Sequence, residues 1–196
     1  PFTCCAGWAR GRRLGAKMGG MHAHVILAAG QGTRMRSRLP KVLHPLLGKP
    51  MLLYALEAAL ALKPERLVVV VGHGGEKVVE ALEGYPVEVA WQKEQLGTAH
   101  ALLQAEGLLR DFPGPFLVTQ GDTPLLSPRT LEALLRRVRE GAGMALLTAE
   151  LPDPTGYGRI LREGEEVLGN VEEKDAPPEV RAIREVNAGA YAFDGF

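Results

Sequence analysis

Residues 24–50 read HVILAAGQGTRMRSRLPKVLHPLLGKP, and this stretch decides the fold class. HVILA (24–28) is a short, nearly continuous apolar run, as expected of a strand covered on both faces. It passes directly into Ala-Ala-Gly-Gln-Gly-Thr-Arg. Small residues let the backbone approach a ligand closely, and consecutive N–H groups can cradle an anion. Arg34 and Lys41 supply cationic side chains able to neutralise phosphate. In an open α/β sheet, ligands bind beyond the carboxyl ends of the strands, which is where this loop falls.

The rest of the chain repeats the alternation. MLLYALEAALAL (51–62) is helical and follows Pro50, a residue accepted at a helix start. LVVVV (67–71) is a β-branched strand, GGEKVVEALEG (74–84) a helix with a terminal Gly, and VEVAW (87–91) a third strand. GTAHALLQAEGLLR (97–110) reads as one helix and PFLVT (115–119) as a strand. Ser127 and Pro128 open a helix through LEALLRRVRE (131–140), and MALLTAE (144–150) is a further strand. After residue 150, RILR (159–162), VLGNVEE (167–173) and EVNAGAYAF (185–193) are short strands between Gly and Pro turns. The expected fold class is α/β: a mainly parallel sheet with helices on both faces and small antiparallel additions after residue 150.

Composition narrows the function classes. The chain has 196 residues, 46% hydrophobic and 23% charged, which suits one globular domain. No apolar run approaches the ~20 residues of a membrane-spanning helix. Its two cysteines, Cys4 and Cys5, are neighbours and can build neither a disulfide framework nor a Cys-rich zinc site. The zero net charge hides a segregation: no acidic residue precedes Glu57, while nine basic residues do. That asymmetry points to an anionic ligand near the N-terminal region. Near-neutral pI favours a small phosphorylated ligand over nucleic acid. Residues 1–20, Gly- and Arg-rich without apolar periodicity, read as a non-native or disordered extension, with Met21 as the natural start of a domain over 21–196. The final VNAGAYAFDGF stops on a strand-like run, as a C-terminally incomplete domain would.

Two common phosphate motifs fail. The pattern G-x-G-x-x-G begins at Gly30 and Gly32 but meets Met35 at its third glycine. The P-loop requires G-K-[ST], whereas Gly48-Lys49 is followed by Pro50. A glycine-rich turn serving geometry alone would not need five basic residues and no acid over 34–50. Asp122, in GDTP after a strand, stands either as an Asx-type turn or as a cation ligand facing phosphates. His22 and His24 have metal-like spacing but make a weak site, and His100 is expected to pack on its helix without a catalytic role.

LAAGQGTRMRSRLPKVLHPLLGKP (27–50) closely resembles the signature of sugar-nucleotide pyrophosphorylases. WQKEQLGTAHA (91–101), QGDTPLL (120–126), DPTGYGRI (153–160), NVEEKDA (170–176) and EVNAG (185–189) follow in the order of one branch. That branch is the uridylyltransferase domain of bacterial bifunctional N-acetylglucosamine-1-phosphate uridylyltransferases/glucosamine-1-phosphate N-acetyltransferases. The resemblance runs from about Met21 to Phe196. It implies a Rossmann-like nucleotidyltransferase fold and a cytoplasmic enzyme of peptidoglycan and lipopolysaccharide precursor synthesis. The implied reaction joins UTP and N-acetylglucosamine 1-phosphate into UDP-N-acetylglucosamine and pyrophosphate.

The resemblance also assigns residues. Leu27, Ala28, Ala29, Gly30, Gly32 and Thr33 line the nucleotide, with Arg34 and Lys41 as catalytic phosphate-holding groups. Gln92, Gln95, Gly97 and Thr98 face the base, and Gln120 and Gly121 complete the nucleotide site. Asp122 is the Mg²⁺ ligand. Gly158, Glu172 and Asn187 hold the acetylated amino sugar. Gln120 replaces a Tyr or small residue frequent in the family, and Ala188 replaces the Thr of Asn-Thr-Gly. The family draws a second Mg²⁺ ligand, an Asn, and a trimer-forming acetyltransferase domain from sequence beyond residue 196. The alternatives are a pyrophosphorylase for another sugar phosphate or base, and a non-catalytic nucleotidyltransferase-like binding domain.

Overall fold

The computed structural model describes residues 2–6, 20–30, 32, 37, 39–72 and 74–196. After β1 (Phe2–Ala6), the strand β2 (Ala23–Ala28) forms as the apolar run requires and is buried throughout. It lies between two parallel neighbours, β5 (Arg66–Val71) and β7 (Phe116–Gln120), and β6 (Glu88–Trp91) extends the parallel set beyond β5. Side chains alternate between two cores. Val25, Leu27, Val68 and Val70 face α3 (Thr98–Leu103) and α4 (Glu106–Leu109). Ile26, Ala28, Val69 and Val71 face α1 (Met51–Leu60) and α2 (Glu76–Ala81). Covering both faces explains why these strands tolerate no polar alternation.

The antiparallel part enters through β8 (Met144–Glu150) and β11 (Glu185–Phe193). Helix α5 (Pro128–Arg139) runs between β7 and β8, and Ser127 caps it by accepting from the Thr130 N–H at 3.2 Å. Its stripe Leu131, Leu134, Leu135 and Val138 packs on Leu117, Ala145, Leu147 and Ala192. β11 pairs antiparallel with β7 and β8 over Tyr191–Phe193, and its register shifts between Asn187 and Tyr191. Beyond that shift it leaves β7 and meets β9 (Arg159–Glu163) through Val186 and Arg159. β9 and β10 (Glu166–Val171) form a hairpin, and the short α6 (Pro178–Arg181) leads back to β11. Among the described residues the sheet order is β6-β5-β2-β7-β11-β8-β1-β10-β9.

Within the segment 1–20, read from sequence as a non-native or disordered extension, Phe2–Ala6 form β1, a strand not anticipated, antiparallel to β8 from Phe2↔Ala149 to Ala6↔Ala145. The physical reason is non-local: β8 otherwise has an open edge of backbone donors and acceptors, which a short segment can satisfy without helical or strand periodicity of its own. The helix expected over 97–110 is broken into α3 and α4. At the break, backbone bonds tighten to Gln104→Ala101 and Ala105→Leu102, and the Gln104 side chain takes the His100 carbonyl at 2.9 Å. A small hairpin, β3 (Pro45–Leu46) with β4 (Lys49–Pro50), was not anticipated. Tyr54 fixes it by donating to the Leu46 carbonyl (2.8 Å) beneath Lys49, whose ammonium lies 3.9 Å from the ring centroid.

Candidate active site

Of the predicted nucleotide residues, Leu27 and Ala28 end β2, Gln92 follows β6 and Gln120 ends β7. The Gly121 N–H donates to the Leu27 carbonyl at 2.9 Å, joining the tips of β2 and β7. The Leu27 side chain lies in one core and Ala28 in the other, so these two residues set the position of the loop from below. Ala29 is buried and Gly30 exposed. Gly32 has φ +58, and a Cβ there would fall 2.6 Å from the Lys41 Cβ. Glycine is therefore what lets the crook close over the Lys41 backbone. Thr33 and Arg34 lie outside the described residues.

Lys41 begins a 3₁₀ turn, Lys41–Leu43, anchored by buried Val42 and Leu43. Its Nζ lies 2.6 Å from Asp122 Oδ2. Asp122 sits in the turn after β7, where the Thr123 hydroxyl donates to the Gln120 carbonyl at 2.8 Å. The crook, the basic residue and the acidic residue thus meet, although 81 positions separate Lys41 from Asp122. The Asp122 carboxylate presents hard oxygen at a strand tip, and its partner here is itself a cation. That donor chemistry fits a divalent ion such as Mg²⁺. Among the described residues no three His, Cys, Asp or Glu side chains converge on one point. Phosphate oxygens and water would have to complete the shell around Asp122.

On one flank, β5 and β6 build the predicted base side. Gly72 follows β5 at a point where any Cβ would fall 2.5 Å from the Ala29 carbonyl oxygen and 2.7 Å from Gln95 Nε2. Close approach thus brings Gln95 onto the crook. Gly72 was not singled out from the sequence, although a glycine ending LVVVV was the available signal. Gln92 is only 3% exposed, and its backbone N–H donates to the Val71 carbonyl at 2.7 Å. Its Nε2 donates to the Gly97 carbonyl (3.2 Å) and to His100 Nδ1 (3.0 Å). Gly97 and Thr98 start α3 beside it.

On the other flank stand the predicted sugar residues. The Asn187 N–H donates to the Gly158 carbonyl at 3.1 Å. Asn170 packs over Gly158 and its Nδ2 donates to Glu172 at 3.0 Å. Gly158, Glu172 and Asn187 are therefore brought together, with Asn170 as a member that sequence reasoning missed inside its own NVEEKDA motif. Asn187 Nδ2 donates to the Tyr191 hydroxyl (2.7 Å), and Asn187 Oδ1 accepts from the Gly189 N–H (2.9 Å). Burial pushes the Tyr191 hydroxyl above its ordinary pKa, against the lowering effect of the Asn187 bond, with the Glu172 charge adding to the rise. Gln120 reaches this flank by lying against Gly189.

Arg159, 2% exposed, holds the flank from behind. It pairs with Glu173 at 2.7 Å and donates to the carbonyls of Tyr157 and Arg181. The Arg159 bond, helped by the Gly156 N–H, holds the Glu173 carboxyl below its ordinary pKa.

Comparison with known proteins identifies relatives of this chain. The chain is 55% identical over 173 residues to bifunctional protein GlmU of Syntrophotalea carbinolica, covering 88% of this chain and 37% of that protein. The chain thus spans little more than a third of the length of such relatives. Among solved structures, the inositol-1-phosphate CTP transferase of T. maritima superposes with a TM-score of 0.69 at 22% identity, over 90% of this chain and 71% of its own. A UDP-glucose pyrophosphorylase complexed with UDP-glucose does so with 0.69 at 21% identity, over 89% and 76%. These likenesses show the nucleotidyltransferase fold. Residues 24–177 match the MobA-like NTP transferase domain, and the chain belongs to that family.

Proposed function

We propose that this domain transfers UMP from UTP to N-acetylglucosamine 1-phosphate, releasing pyrophosphate. The observation that carries the reading is the 2.6 Å meeting of Lys41 and Asp122 beside the glycine crook, with an amide-lined flank on one side and a hydroxyl-recognising flank on the other. This order suits base, phosphates and sugar in sequence along the strand tips. A phosphate oxygen of the sugar phosphate would attack the α-phosphorus of UTP in line. The bond to the β-phosphate bridging oxygen breaks, and pyrophosphate leaves with those electrons. Two polyanions must be aligned and their charge neutralised, and no protein nucleophile is required.

In this reading Lys41 and Arg34 hold the phosphates as charge moves onto the leaving group. Gln92, Gln95, Gly97 and Thr98 bind the base, while Leu27, Ala28, Ala29, Gly30, Gly32, Thr33, Gln120 and Gly121 shape the nucleotide site. Gly158, Glu172 and Asn187 bind the amino sugar. Asp122 would hold Mg²⁺, which when bound supplies charge neutralisation of the phosphates. Motif order and the 55% identity to bifunctional protein GlmU support uridine and N-acetylglucosamine over other bases and sugars. A cytoplasmic role in cell-wall precursor supply and trimer formation through a further C-terminal domain belong to the same proposal.

The test is pyrophosphate release from this chain, and from a chain extended beyond Phe196, across a panel of nucleoside triphosphates and sugar phosphates. The UTP and N-acetylglucosamine 1-phosphate pair should turn over fastest. A faster different pair overturns the substrate assignment, and nucleotide binding without pyrophosphate release from either chain overturns catalysis.

A further inference from the structure

We infer that His100 is the positioning residue that fixes which group Gln92 offers to the base, and so sets the preference for uracil over cytosine. The inference deepens the reading of these strand tips as a UTP site and rests on it. Its basis is the hydrogen bonding of one buried amide. Gln92 Nε2 lies 3.2 Å from the Gly97 carbonyl oxygen and 3.0 Å from His100 Nδ1. A carbonyl oxygen only accepts, so the Gly97 contact fixes Nε2, rather than Oε1, on that side. The same Gly97 carbonyl also accepts from the Ala101 N–H at 3.0 Å, which ties this orientation to the first turn of α3.

The second Gln92 amide proton then goes to His100 Nδ1, which must be the acceptor nitrogen of the ring. On the far side, Gln104 Nε2 donates to the His100 carbonyl at 2.9 Å and lies 3.3 Å from His100 Nε2. A neutral imidazole accepts at one nitrogen only, and the shorter contact identifies it as Nδ1. Both N–H groups of Gln92 are therefore committed to protein acceptors. Its Oε1 has no hydrogen-bond partner among the described residues.

An amide locked this way can only accept from a ligand. The pairing edge of uracil offers one donor, N3–H, whereas cytosine carries a bare acceptor nitrogen at that position. Gln92 Oε1 matches the first and repels the second. Without an acceptor at His100, one Gln92 N–H is released and the amide can serve either base. At the break between α3 and α4, Gln104 caps the His100 carbonyl and so holds the backbone that carries the ring.

Two measurements on the full chain test the inference. Without nucleotide, the Gln92 side-chain NH₂ protons should exchange with solvent at least tenfold more slowly than those of exposed glutamines, by NMR; exchange as fast as theirs overturns the lock. With nucleotide, calorimetric Kd values for UTP and CTP should favour UTP. In His100→Leu the UTP-to-CTP affinity ratio should fall about tenfold, as for loss of one well-placed hydrogen bond. His100→Asn, whose Oδ1 can replace Nδ1 as acceptor, should restore most of it. An unchanged ratio in folded His100→Leu, or no rescue by His100→Asn, overturns the role of His100 while leaving the UTP site intact. Binding of neither nucleotide by the unaltered chain overturns the UTP site and this inference together. Should His100→Leu fail to fold, equal discrimination in His100→Asn and His100→Ala, which has no side-chain acceptor, would overturn it.

Discussion

In the proposed reaction Lys41 would hold phosphate and Asp122 would hold Mg²⁺, and the two side chains meet. Both were identified from sequence, but their contact at 2.6 Å was not, because 81 positions lie between them. The ion pair is partly exposed, so solvent screens it and its removal should cost the fold only about 0–1 kcal/mol. Lys41→Ala should therefore lower pyrophosphate release by about 100-fold or more while the melting temperature barely moves. Unchanged turnover in that variant would remove Lys41 from the phosphate site. Asp122→Asn keeps the shape and loses the charge. Its half-saturating Mg²⁺ concentration should rise at least about tenfold, measured by titration of activity or of nucleotide binding. An unaltered Mg²⁺ dependence argues for the Asx-turn role alone. Asn170 and Tyr191 were missed for a different reason: each acts by holding a predicted residue, and nothing in residue type alone marks such service.

At the scale of elements, the strongest local signals were correct. β5, β8 and β11 form where β-branched or alternating runs predicted them, and Ser127 caps α5 as its position before Pro128 suggested. Ser127→Ala should cost about 1 kcal/mol and lower the melting temperature by about 2–4 °C, as read by calorimetry. A smaller change than 0.3 kcal/mol would show that the Thr130 N–H finds another acceptor. The helix expected over 97–110 failed at Gln104 because a side chain there competes for the His100 carbonyl, a choice that propensity does not reveal. β1 was missed because its pairing is dictated by the open edge of β8, more than 130 positions away. The register shift in β11 lets one strand serve β7 at one end and β9 at the other, and Gln120 lies against Gly189 within the shifted stretch.

For the whole molecule, stability depends on a sheet buried on both faces, and that burial includes two histidines. His24 is fully buried with Nε2 against the Thr119 hydroxyl at 2.9 Å, and burial, then repulsion from His22, lowers its pKa to about 3. Burial likewise lowers the pKa of His22. His24 stays neutral in the fold and His22 is biased toward its neutral form, but both protonate near pH 6.5 once unfolded, so the unfolded chain binds more protons below that pH. Stability is thus intact above about pH 6.5 and falls as pH drops toward 3. For His24 alone the loss between pH 7 and pH 5 should be about 2 kcal/mol, seen in urea melts. His24→Gln should flatten that slope, and an equal slope in the variant would place the acid sensitivity elsewhere. The sequence by itself determined the parallel α/β core, the glycine crook and the kinds of residue at the site, since burial on both faces and phosphate chemistry leave local marks. Only the tertiary structure decided that Lys41 meets Asp122, that β1 fills the edge of β8, and that His100 holds Gln92. Those contacts depend on which strand tips the sheet order brings together, and strand order is a property of long-range packing that local residue patterns do not encode.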